Sequence, residues 1–171
     1  MPMRTGRLAG LALIAAFVWL SCGPGERDEG LNPIIQTEEN DPVLRAIALS
    51  ARESLSEFTR KLQNPSDGEY NFQVKYPFAC DPDSGYAYEH LWLRDIEFRD
   101  GKFLGTLANS PFYVQNLSLG GRVEFFLDDI SDWMYMKQDR IQGGKSIKYL
   151  IEKIPPAERD ERMRQYLEFF E

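Results

Sequence analysis

A run of strict alternation at residues 69–78 most constrains what this chain can fold into. Apolar side chains occupy every second position, namely Tyr70, Phe72, Val74, Tyr76 and Phe78. A period of two places such side chains on one face of a β-strand. An aromatic row of this kind either packs in a core or serves as a platform for a sugar or a base. We favour the core interpretation, because aromatic rings dominate core burial.

The stretch from residue 89 to residue 136 supplies the other strand patterns. Residues 91–98 and 103–107 are predicted to form a β-hairpin, since Asp100-Gly101 between them suits a tight turn with positive φ at both positions. A second pair is predicted at residues 122–127 and 130–136, joined by Asp128 and Asp129. We expect these strands to form the framework of the sheet.

Helical patterns flank the strands on both sides. Asp41-Pro42 is a typical helix start, and an apolar stripe at spacings of three and four follows until Asn64-Pro65. Two further helices are predicted at residues 147–154 and 157–170. The predicted fold class is α+β: an antiparallel sheet of about five strands with an N-terminal amphipathic helix and C-terminal helices.

Charge and cysteine content narrow the classes of function. The 27 acidic and 20 basic residues give a net charge of −7, which repels phosphate backbones and argues against nucleic-acid binding. Two cysteines, Cys22 and Cys80, are too few for a disulfide framework.

The N-terminus predicts export. Arg4 and Arg7 precede an uncharged apolar run at residues 8–20, which is shorter than the ~20 residues that span a bilayer. Ser21-Cys22-Gly23 then resembles a bacterial lipobox, in which the cysteine is lipidated, although Trp19 stands where leucine is usual. A plain signal peptide cut nearby and a buried helix are the alternatives.

Three segments follow from that interpretation: a signal peptide at 1–21, the lipidated cysteine and a flexible tether at 22–40, and a single globular domain at 41–171. The domain is expected to be anchored to a bacterial cell membrane through lipid on Cys22. It would lie on the periplasmic or surface side.

No residue pattern predicts catalysis, a metal or a cofactor. Cys80 and His90 form a poor catalytic pair, because the acidic neighbours of Cys80 oppose a thiolate. The acidic set Glu124, Asp128, Asp129 and Asp132 lacks the spacing and the glycine of a calcium loop. We therefore assign no catalytic residue and no metal ligand.

Several short motifs in a fixed order suggest a family. They lie at residues 46–58, 72–75, 89–92, 105–111, 121–123 and 130–135, and the combination resembles the bacterial domain of unknown function 2314, the YegJ-like proteins. The resemblance implies a single compact domain, sometimes exported and sometimes found beside ankyrin repeats. It implies no activity, cofactor or catalytic residue.

The sequence favours a binding or interaction module over an enzyme of the cell envelope, with a protein as the expected partner. Trp133 and Tyr135 share one face of a predicted strand that is apolar on both faces. Either helices cover both faces, or Trp133 and Tyr135 stay open beside Asn109 and Pro111 and meet a partner, since Trp and Tyr are favoured interface anchors.

Overall fold

The computed structural model describes residues 41–100 and 102–170. A single antiparallel sheet of six strands runs through it in the order β4-β3-β2-β1-β5-β6. The strands are β1 (Glu69–Ala79), β2 (Tyr88–Arg99), β3 (Lys102–Leu107), β4 (Arg122–Phe125), β5 (Asp132–Lys137) and β6 (Arg140–Gly143). The helices are α1 (Pro42–Glu53), α2 (Leu55–Gln63), α3 (Lys145–Lys153) and α4 (Glu161–Glu168). The α+β fold class is confirmed. The additional strand is β6, whose four residues are too short to show a period.

The predicted N-terminal helix is two helices. The Asp41 side chain caps α1 by accepting hydrogen bonds from the backbone N–H groups of Val43 (2.9 Å) and Leu44 (3.3 Å), as predicted. The break falls at Ser54, whose hydroxyl donates to the carbonyl of Ser50 at 2.7 Å. A serine that bonds back one turn in this way bends a helix.

The predicted hairpin is present, because Arg99 pairs with Lys102 and only residues 100 and 101 lie between β2 and β3. Asp100 has a φ of +54°, as a turn of this kind requires. Gly101 lies outside the described residues.

The pairing predicted for residues 122–127 with 130–136 is wrong. Strands β3, β2 and β1 lie between β4 and β5 in the sheet. Asp128 and Asp129 belong to the short 3-10 helix Leu127–Asp129. Leu127 and the following Ile130 are buried in the hydrophobic core, so the segment passes over that core between β4 at the sheet edge and β5. A period of two fixes which face a side chain takes and does not fix which strand is the neighbour.

Helix α2 covers the main core, which lies on one face of the sheet. The buried side chains are Phe58, Val74, Leu91, Leu93, Leu107, Phe125, Leu127, Ile130 and Tyr135, and the aromatic row of β1 packs against them through Phe72, Tyr76 and Phe78. The core interpretation of that row is confirmed for these residues. Tyr70 is the exception and is exposed, because the pairing of β1 with β5 shifts register between residues 70 and 73, where Asn71 has a φ of +53°.

The other face carries a smaller cluster. Trp92, Met134 and Ile141 are buried there, and side chains from α3, α4 and the residues after α4 pack on them, including Ile147, Tyr166 and Phe170. The carbonyl of Phe169 also accepts a hydrogen bond from the N–H of Ile141 at 2.7 Å. Between residues 41 and 170, none of the described helices has the length and apolarity to cross a bilayer.

Candidate functional site

Trp133 and Tyr135 lie in and against the main core. The Tyr135 ring stacks on Phe72 with centroids 5.0 Å apart, and Trp133 packs against Phe58 at 5.4 Å. The indole Nε1 of Trp133 donates to the Ser54 hydroxyl at 3.0 Å. The N-terminal helices therefore cover this face, and the C-terminal segments cover the opposite one. Of the two arrangements expected from the sequence, the covered one is present.

The loop at residues 109–111 lies elsewhere. Asn109 accepts a hydrogen bond from the backbone N–H of Trp92 at 2.8 Å, which fixes the loop beside β2 at the end of β3. Strands β2 and β1 separate β3 from β5, a distance of about 14 Å at the usual strand spacing. Asn109 and Pro111 therefore form no common surface with Trp133 and Tyr135.

A polar network lies beneath the start of α3. The buried Asp132 carboxylate accepts hydrogen bonds from the backbone N–H groups of Ser146 (2.7 Å) and Trp133 (2.8 Å). Lys75 Nζ lies 3.3 Å from the Ser146 hydroxyl and 5.8 Å from the centre of the Trp92 ring. Burial raises the pKa of Asp132 and lowers the pKa of Lys75, although the Asp132 charge opposes the second shift.

The burial of this network indicates a structural role. The Lys75 amine and the Ser146 hydroxyl form a hydrogen bond, in which an ammonium would donate and a neutral amine could accept. Ser146 is only 3% exposed, so a substrate does not reach its hydroxyl in this arrangement. The network caps the first turn of α3, for which Gly144 supplies no side chain, and it attaches that helix to β1 and β5.

The structure does not bring Cys80 and His90 together. His90 lies opposite Pro77 in the pairing of β1 with β2. Cys80 is three residues beyond Pro77, and its N–H bonds to the carbonyl of Ala87 instead. His90 Nδ1 lies 2.9 Å from the Ser131 hydroxyl. Burial, Glu89 and Asp81 raise the pKa of the Cys80 thiol, so the thiolate is disfavoured, as the sequence indicated.

The acidic set on and around β4 and β5 does not converge. Glu124 lies 2.8 Å from Lys102 on the sheet surface. Asp128 and Asp129 are exposed on the 3-10 helix, whereas Asp132 points into the polar network. The four carboxylates therefore make no shared cation site.

Exposed aromatic side chains gather at one end of the sheet, where β1 ends and β2 begins. Tyr88 and Phe112 are 61% and 62% exposed. The Tyr113 ring lies 4.4 Å from that of Tyr86 and 4.8 Å from that of Phe112. We call Tyr86, Tyr88, Phe112 and Tyr113 the aromatic end. Pro111, which the sequence placed beside Trp133 and Tyr135, immediately precedes Phe112 in the chain.

Two carboxylates fix the loops that carry the aromatic end. Glu89 accepts hydrogen bonds from the backbone N–H groups of Phe112 and Tyr113, both at 2.8 Å. Asp81 accepts from the N–H of Gln115 at 3.1 Å, and its own N–H donates to the carbonyl of Tyr113. The rings are thus presented on a braced scaffold. A sequence signal existed for Phe112 and Tyr113, since they are adjacent and belong to no strand or helix pattern that would explain their burial.

Comparison with known proteins gives a family. The family model described as an uncharacterized protein conserved in bacteria, DUF2314, matches residues 41–169. The chain belongs to the DUF2314 family. The uncharacterized protein YegJ of Escherichia coli K12 is 37% identical over 111 residues, which cover 65% of this chain and 69% of YegJ. No solved structure matches the chain.

A putative ankyrin repeat protein of Neisseria meningitidis serogroup B is 38% identical over 89 residues. The match covers 52% of this chain and 35% of that protein. A domain of this family can therefore form part of a longer protein.

Proposed function

We propose that this DUF2314 protein is a lipoprotein of the cell envelope that acts as a binding module, with the aromatic end as its recognition surface. The clustering of exposed rings carries the proposal, since Tyr86 and Phe112 both contact Tyr113 and Tyr88 lies at the same end of the sheet. Single exposed rings are common on protein surfaces, but a contiguous exposed aromatic group marks an interaction site, and tyrosine is enriched at interface hot spots.

The bracing of the loops supports the same proposal. Glu89 and Asp81 hold the backbone of the loop that carries Phe112 and Tyr113. The rings on that loop therefore need little ordering when a partner binds. Side chains that are already placed lose less conformational entropy on association, and this favours affinity. A surface that served only solubility would not need such bracing.

Capture of the full-length protein from membranes tests the binding role. The double variant Tyr88→Ser/Phe112→Ser should lose proteins that the wild type retains, because both exposed rings are removed. The matched control is Phe98→Ser/Phe126→Ser, which removes two exposed rings at the opposite end of the sheet. If both double variants retain the same proteins as the wild type, the aromatic end is not the recognition surface.

The anchor is tested separately. Cys22 lies outside the described residues, and its lipidation is proposed from the Ser21-Cys22-Gly23 motif after the apolar run. More than one acyl chain would be needed for stable anchoring, since one chain alone gives marginal membrane binding. Metabolic labelling with a fatty-acid analogue should tag the wild type and not Cys22→Ser. Equal labelling of the two proteins would exclude this anchor.

A further inference from the structure

We infer that the partner of the aromatic end is a polypeptide segment rich in lysine and arginine. The inference rests on the proposed binding role and specifies the chemistry of the partner. It follows from the charges that surround the rings and from how basic side chains contact aromatic ones.

The loops of the aromatic end are acidic. Asp81, Asp83 and Glu89 lie on or beside them, and residues 79–93 and 107–121 contain no lysine or arginine. Within residues 41–100 and 102–170, none of these three carboxylates forms an ion pair with a lysine or arginine. The aromatic end therefore has a negative rim that no described cation neutralises.

The hydrogen-bond partners of two of these carboxylates are uncharged backbone amides. Glu89 and Asp81 accept hydrogen bonds from Phe112, Tyr113 and Gln115, and those amide groups carry no net charge. Asp83 is exposed on the short 3-10 helix Pro82–Ser84 and adds a further negative charge. The potential at the aromatic end thus attracts cations and repels anionic lipid headgroups and nucleic acid.

Lysine and arginine fit both features of this surface. Their alkyl stems pack on apolar rings while the charged head remains in solvent or reaches a carboxylate. The head also interacts favourably with the face of a tyrosine or phenylalanine ring. A basic segment can therefore satisfy the rings and the carboxylates together, whereas a neutral apolar partner would leave the carboxylates desolvated.

Site-specific photo-crosslinking in the intact chain tests the inference. A photoreactive phenylalanine analogue at position 112 or 88 should form a protein adduct in cells, and the same analogue at position 126 should not. Mass spectrometry of the adduct then identifies the crosslinked peptide. We expect that peptide to be rich in lysine and arginine.

Charge reversal supplies the second readout. Asp83→Lys should lower the adduct yield at position 112 roughly tenfold, because a steering charge changes sign. The matched control Asp67→Lys reverses an exposed carboxylate before the start of β1, at the opposite end of the sheet, and should leave the yield unchanged. Raising the salt concentration in membrane extracts should reduce the wild-type yield as well, since screening weakens contacts between exposed charges.

The outcomes separate this inference from the proposed function. A protein adduct whose peptide is neutral or acidic would contradict the inference of a basic partner. So would an adduct whose yield does not change with Asp83→Lys or with salt. Neither result contradicts the binding role. An adduct to lipid, or to a second copy of this chain, also overturns the inference. Absence of any adduct at positions 88 and 112 overturns both.

Discussion

The two faces of the sheet are covered in different ways. On the main-core face, helix α2 places Phe58 among aromatic and aliphatic side chains, and the contacts there are almost entirely apolar. On the other face the apolar cluster is smaller, α4 contributes no fully buried residue, and the polar network of Lys75, Asp132 and Ser146 holds the start of α3. The first face depends on apolar area, and the second depends on geometry and hydrogen bonds.

The difference teaches where substitutions should matter. Loss of apolar volume is costly in proportion to the cavity that remains. Loss of one member of a buried polar network costs the desolvation of the groups left without a partner. The variants that follow are ordered from the largest expected effect to the smallest.

Trp133→Ala should lower the free energy of unfolding by about 3–5 kcal/mol, because the indole packs between Phe58 and Tyr135. Urea denaturation followed by circular dichroism measures it. Trp133→Phe keeps a ring but loses the hydrogen bond to Ser54 and should cost less, about 1–2 kcal/mol. A loss below about 1 kcal/mol for Trp133→Ala would show that the main-core face tolerates cavities, against the usual cost.

Gly143→Ala tests the junction between the two faces, where β6 leads into α3. A Cβ there would clash with the carbonyl oxygen and the indole ring of Trp133, at a φ of +78°. The matched control is Gly120→Ala, which has a φ of +79° and no atom within 4 Å of its Cβ. The control should cost about 1–2 kcal/mol from φ alone. We expect Gly143→Ala to cost about 2 kcal/mol more, because steric strain is added, and equal thermal stability of the two variants would contradict this.

Asp132→Asn probes the polar network on the second face. The amide can accept from one backbone N–H, and its NH₂ group then opposes another donor, so we expect a loss of about 1–3 kcal/mol. Asp128→Asn alters an exposed carboxylate nearby in the chain and should stay within about 0.5 kcal/mol of the wild type. Chemical denaturation at neutral pH compares them. Similar values for the two variants would mean that the network adds nothing to stability.

The smallest effect is expected at Asp41, which attaches α1 to α3. Desolvation opposes ionisation, but hydrogen bonds from Lys153 and Tyr149 and from the backbone lower the pKa of Asp41 to about 2. A carboxyl with a lowered pKa contributes stability that is present above its ordinary value of 3.8 and is lost as pH falls through about 2. Asp41→Asn should therefore be less stable than the wild type at neutral pH.

The stability difference at Asp41 should shrink between about pH 4 and about pH 2, as the wild-type carboxyl becomes protonated. Asp132 has the opposite sign, because burial raises its pKa and protonation relieves the cost of a buried charge. Denaturation curves below about pH 4 measure the Asp41 contribution, whereas the Asp132 contribution changes above its ordinary pKa of 3.8. A difference for Asp41→Asn that is independent of pH would argue that only helix capping matters there.

Local patterns in the sequence predicted most elements. The Asp41 cap, the Asp100 turn and the aromatic row of β1 follow from short-range rules of capping, turn geometry and alternation. The site was predicted less well. Trp133 and Tyr135 were weighed as an open surface, but helices cover them, because the burial of a ring depends on which helix packs over it. The exposed rings of the aromatic end were not singled out.

The sequence by itself determined the α+β class, the strand faces and the membership of the DUF2314 family. Those properties depend on residue spacing, which the chain carries locally. Only the tertiary structure decided that β4 and β5 lie on opposite sides of β3, β2 and β1, and that Lys75, Asp132 and Ser146 meet beneath α3. The physical reason is that strand neighbours and network partners are chosen by long-range packing among segments with similar patterns, and no local spacing records that choice.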